Sequence, residues 1–171
     1  MSAWVTIANA ELGGAGSITF SSIASTYTDL VVMLAARGAS SDAFQLRFNG
    51  STANFSGRML QGNGSSPNSF TRSDNFVGYV NPSTAVANSF GSAMIYIPDY
   101  SGSNTKLFYV EAVTADNSTF ALQTIHAGLW SSTSAINEIT LLCLDGSNFA
   151  QFSLATLYGI TKGSDGIIEF N

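Results

Sequence analysis

Apolar residues in this chain recur at every second position in one segment after another, and no segment carries a sustained apolar stripe at helical spacing. Successive side chains of an extended strand point to opposite faces, whereas an amphipathic helix needs a period of 3.6. The pattern therefore restricts the chain to β-structure. Phe44, Leu46 and Phe48 alternate with Gln45 and Arg47, and residues 17–20 alternate polar with apolar. Residues 29–36 are almost continuously apolar, which predicts a central strand buried on both faces. Further strands are predicted over residues 4–7, 57–60, 76–80, 93–97, 106–113, 121–130, 138–143 and 152–160.

Turn residues punctuate these segments. Asn49-Gly50 predicts a hairpin joining residues 44–48 to 57–60. Residues 61–69 are rich in Gly, Asn, Ser and Pro, and read as the longest surface loop and a contact site. Asn81-Pro82-Ser83-Thr84 reads as a turn, with one helical turn expected over residues 85–87. Residues 98–102, 116–118 and 145–148 separate the later strands. Eight to eleven strands at this spacing predict an all-β fold, an antiparallel β-sandwich of jelly-roll-like layout. The 171 residues are expected to form a single domain with short extensions at residues 1–16 and 162–171.

Only 10% of the residues are charged, where a soluble domain averages about 25%. Ser, Thr, Asn and Gly cover the surface instead. Few long charged side chains need be ordered or desolvated when such surfaces meet. That suits a protein that packs against copies of itself or on a larger assembly. The net charge of -5 and the scattered positions of Arg37, Arg47, Arg58, Arg72, Lys106 and Lys162 argue against nucleic acid as a partner. No apolar run reaches the roughly 18 residues of a membrane helix, so no membrane partner is expected. Met1-Ser2-Ala3-Trp4 lacks the basic start and apolar run of a signal peptide, and synthesis in a cytoplasm is the expectation.

Catalytic chemistry has little to stand on. His126 is the single histidine, placed in a strand between Ile125 and Ala127. No Gly-x-Ser-x-Gly, His-Glu-x-x-His or Cys-x-x-Cys accompanies it, so a hydrogen-bonded or surface histidine is expected. Glu111 and Glu138 lie in separate strand segments with no spacing that makes them an acid pair. Residues 99–104 and 145–148 resemble fragments of calcium loops but lack the full ligand spacing, and read as β-turns. Gly13-Gly14-Ala15-Gly16 reads as a flexible turn, with no Lys-Ser or Lys-Thr after it to cradle phosphate. Cys143 sits inside an apolar run and reads as a buried thiol. No catalytic, cofactor or metal residue is assigned, and an enzyme is not expected. Aromatic residues make up 12% of the chain, and Tyr79, Tyr96, Tyr100 and Trp130 are candidates to bind sugar rings. The competing place for the same rings is the core or a subunit interface. With the terminal aromatics included, Trp4, Tyr79, Tyr100, Trp130 and Phe170 are the candidate contact residues.

Several segments carry a family resemblance when taken in order. They are Ser17-Ile18-Thr19-Phe20-Ser21-Ser22-Ile23, Tyr27-Thr28-Asp29-Leu30, Leu46-Arg47-Phe48-Asn49-Gly50, and residues 90–102, 127–136 and 149–160. Together they resemble small virion structural proteins of tailed bacteriophages, cyanophages among them, over residues 17–161. The resemblance implies a virion protein assembled in the host cytoplasm. It implies a capsid decoration or cement protein that binds the outside of the head and stabilises it, or else a head-fibre or tail-fibre module binding a host-surface glycan or receptor. The implied partners are the major capsid protein or other virion proteins, and copies of itself; a homotrimer is expected from the usual symmetry of virion components. Residues 1–7 and 167–171 are expected to reach neighbours by edge-strand pairing. The group carries no catalytic motif to transfer.

Overall fold

A computed structural model describes residues 4–115 and 121–161. The alternating segments form β1 (Trp4–Glu11), β2 (Ile18–Phe20), β3 (Asp29–Ala36), β4 (Ala43–Phe48), β5 (Phe55–Gly62) and β6 (Pro67–Arg72). After them come β7 (Phe76–Tyr79), β8 (Gly91–Pro98), β9 (Lys106–Ala115), β10 (Ala121–Trp130), β11 (Ile139–Cys143) and β12 (Leu154–Ile160). Two antiparallel sheets result. The large one has the order β1-β12-β3-β8-β9-β10-β5-β6, and the small one the order β2-β11-β4-β7.

The pairing is nested. β1 pairs with β12, β2 with β11, β3 with β8 and β4 with β7. A long hairpin rolled up on itself in this way is a jelly roll, and all eight of its strands are present. The other four strands are insertions. β5 and β6 follow β4, β9 and β10 follow β8, and all four extend the large sheet.

One face of each sheet builds the core. Leu30, Val32, Leu34, Ile95, Ile97 and Val110 meet Ile18, Phe44, Leu46, Phe48, Ile139 and Leu141 from the small sheet. Phe48, Phe55, Phe108 and Trp130 form an aromatic cluster with ring centroids 5.6 to 6.2 Å apart. Gly128 makes room for it: a Cβ there would lie 2.1 Å from Phe108 Cζ. β3 is buried over most of its length, as its apolar run predicts, with Met33 left exposed.

Four expectations are corrected. Asn49-Gly50 does turn the chain, but β4 and β5 belong to different sheets and form no hairpin. Phe48 and Phe55 instead face each other across the core at 5.8 Å. Asn49, at φ 51°, accepts from the N–H groups of Asn137 and Glu138 and donates to Ala135, which ties the turn to the approach to β11. Residues 61–69 are not one loop. They contribute the end of β5, the start of β6 and a turn in which Asn63 Oδ1 accepts from Ser65 and Ser66. Pairing with β5 satisfies one side of the β6 backbone, the other being the edge of the sheet, while its side chains stay mostly exposed. The expected helical turn at residues 85–87 is a pair of β-turns wrapped around Arg37. The guanidinium donates to the carbonyls of Ser83, Ala85 and Val86 at 2.6 to 3.0 Å. Last, residues 4–11 are not a free arm: they are paired with β12 inside the chain. Residues 1–3 and 162–171, Phe170 included, lie outside the described residues.

Candidate functional site

Alternation gives the large sheet a second face, and no element among the described residues covers it. Antiparallel register aligns its outward side chains into rows. Met33, Met94, Glu111, Ile125 and Leu60 form one row across five strands. Ala35, Ser92, Val113, Gln123 and Gly62 form the next, and Val31, Tyr96, Tyr109, Ala127 and Arg58 another, in which Val31 is itself buried. Leu107 and Leu129 pair beyond the last of these. Leu107 and Leu60 are 59% and 58% exposed, far more than an apolar side chain in a core. The three rows hold only two charges, Glu111 and Arg58. Glu111 accepts from Gln123 Nε2 at 2.9 Å. Strand spacing of about 4.8 Å and row spacing of about 6.6 Å give the rows a footprint of roughly 500 Å², apolar and polar side chains together. Leu60, Ile125, Gln123 and Pro67 line a hollow of about 400 Å³ at one margin.

The candidate contact residues fall in different places. Trp130 is buried in the aromatic cluster, because the even-numbered positions of β10 face the core. Tyr100 is also fully buried; its hydroxyl donates to the Ala24 carbonyl and accepts from the Tyr27 N–H. Neither ring is available to a partner, which corrects the contact reading and favours the core one. Tyr96 is half-buried on the outer face. Its hydroxyl donates to Asp29 at 2.7 Å, and burial together with that carboxylate pushes its pKa up to about 12. Trp4 is exposed at the edge of the large sheet, beside the Tyr158 ring at 5.7 Å. Tyr79 is half-buried at the end of β7, edge-on to Phe76 at 5.2 Å.

Leu60, Leu107, Val113 and Ile125 were missed by sequence reasoning. The available signal was strands that are apolar on both alternation faces in a chain with no helix to cover the second one.

His126 is buried and not at the surface, with the Val77 backbone as a hydrogen-bonding neighbour. It is 1% exposed, and Phe108 lies 5.8 Å away. Burial holds its pKa below the ordinary histidine value, against the opposing effect of the Val77 hydrogen bond. The slot exists because Gly57 opposes it: a Cβ there would lie 2.2 Å from Nε2. Glu111 and Glu138 belong to opposite layers, with Glu138 just before β11. In the segment 99–104, the ammonium of Lys106 donates to the carbonyls of Gly102 and Asn104. The chain's own cation thus occupies that loop. Cys143 is buried, its Sγ 3.3 Å from the Asn148 carbonyl, and burial pushes the thiol up to about 11. Among the described residues, no three His, Cys, Asp or Glu side chains gather to hold a metal ion.

In comparisons with known proteins, no family model matches this chain, and neither a curated protein nor a solved structure matches it.

Proposed function

We propose that this chain is a virion structural protein of a tailed bacteriophage, a decoration or cement protein that beds on the outside of the capsid through the outer face of its large sheet. The observation that carries the reading is that face: broad, apolar, nearly free of charge and covered by nothing within the described residues. Burying it on another protein removes apolar surface from water at little cost in desolvated charge or frozen side chains. Two further points support it. Segments between residues 17 and 161 resemble phage virion proteins, and the jelly roll is an architecture used by viral capsid domains, a fold-level analogy. A copy seated across neighbouring capsid subunits binds the assembled shell and not its separated parts. Mass action then stabilises the shell.

Cryo-electron microscopy of intact virions tests the proposal. Density for this sandwich repeated over the whole shell, large sheet inward, is the expected result. Density confined to the tail or to fibres would overturn the decoration role in favour of a fibre module.

A further inference from the structure

The two sheets are unequal in length as well as in strand number. β9 and β10 run ten residues each, whereas β4 and β7 run six and four. β7 lies over β9 and β10, and the long strands continue past its end. The overrun leaves a cleft of about 300 Å³ between the layers. Asp42, immediately before β4, and Tyr79, the last residue of β7, line it from the small sheet. Gln61 of β5 and Leu122 of β10 line it from the large one, and Pro82 closes one side.

The polar groups of this cleft differ in what they already do. Thr114 Oγ1 is committed, donating to the Val80 carbonyl at 2.8 Å. The side chains of Asp42, Gln61 and Tyr79 make no hydrogen bond among the described residues. A carboxylate, a carboxamide and a phenol thus converge, unused, on a space also walled by Pro82 and Leu122.

We propose that this cleft binds a neutral saccharide, about one pyranose ring in size. A sugar ring offers what these walls lack: hydroxyls around its edge and a C–H face. The Asp42 carboxylate accepts from hydroxyls, the Gln61 amide both donates and accepts, and the Tyr79 hydroxyl does either. Leu122 and Pro82 meet the C–H face. The volume sits at the small end of ligand pockets, which excludes an extended oligosaccharide. The lone carboxylate and the net charge of -5 disfavour an acidic sugar. The cleft opens between the layers, and Gln61 lines both it and the hollow at the margin of the outer face. The inference does not depend on where in a virion the protein sits.

Saturation-transfer NMR on the full chain, with D-glucose, D-galactose, N-acetyl-D-glucosamine and L-rhamnose as probes at millimolar concentration, is the test. Transfer to at least one sugar is expected. Asp42→Asn should weaken binding by roughly tenfold or more, and Tyr79→Phe by a smaller factor. Amide shifts of the wild-type protein should move at Gln61, Tyr79 and Leu122, a readout that needs no variant to fold. Absence of transfer from all four sugars, transfer undiminished in both variants, or shifts that map elsewhere would overturn the proposal.

Discussion

His126 contributes to the pH dependence of stability through a plain linkage. Its folded-state pKa is lowered by burial, so the unfolded chain takes up the proton first, near the ordinary value of about 6.5. Above that pH the neutral ring costs nothing extra. As the pH falls below it, the unfolded state binds more protons, and stability is lost until the folded-state pKa is passed. The urea midpoint of the wild type should drop between pH 7 and pH 5, and His126→Leu should flatten that drop; an equal drop in both would refute the assignment. Cys143 gives a second prediction at this scale. With its thiol pushed up to about 11 and buried, it should resist a thiol reagent at pH 8 in the folded protein and react on unfolding. Its burial was legible because it lies inside an apolar run. The orientation of Trp130 was not, since alternation defines two faces of a strand and leaves the partner sheet to select which one is buried. Gly128 likewise conceals its role until Phe108 is placed against it. Gly128→Ala should cost about 2 kcal/mol by overpacking, read from a denaturation curve.

Strand bounds were legible where turn residues flank an apolar run. β3 and β10 occupy the predicted residues 29–36 and 121–130. Connections between strands were not. Asn49-Gly50 signals a turn, but a turn residue carries no information about which sheet receives the next strand. The polar composition of β6 hid it, because a strand paired on one side with both faces exposed needs no apolar residues. At the same scale Arg37 organises the segment from Ser83 to Ser89, whose carbonyls it collects. Arg37→Met should release that segment, with faster amide hydrogen exchange there and a loss of about 1 to 3 kcal/mol. Unchanged exchange would mean that the two β-turns hold by themselves.

For the whole molecule, strand number and spacing were enough to give the sandwich class. The nested wiring and the four inserted strands depend on contacts between distant segments that no local pattern encodes. The outer face follows from those insertions, since β9, β10 and β5 supply most of its apolar rows. A double change, Leu60→Glu with Ile125→Lys, alternates in charge with Glu111 along its row and lies on a solvated surface of the isolated chain. It should leave the thermal midpoint nearly unchanged and abolish sedimentation of the protein with capsids. Retained co-sedimentation would remove this face from the capsid contact.

The nested wiring also governs how the molecule comes into being. Asn9 and Thr156 are joined by a side-chain hydrogen bond across 147 residues, on the outermost strand pair. During synthesis β1 leaves the ribosome long before its partner β12 exists. Among the four nested pairs the innermost, β4 with β7, has its partners closest in sequence, while the β5–β6, β8–β9 and β9–β10 hairpins are closer still and can close first. Contacts this distant in sequence place the chain among slow folders, on the order of milliseconds to seconds. Through that interval β1 carries an open edge, and it waits longer for its partner than any other strand of the nested set.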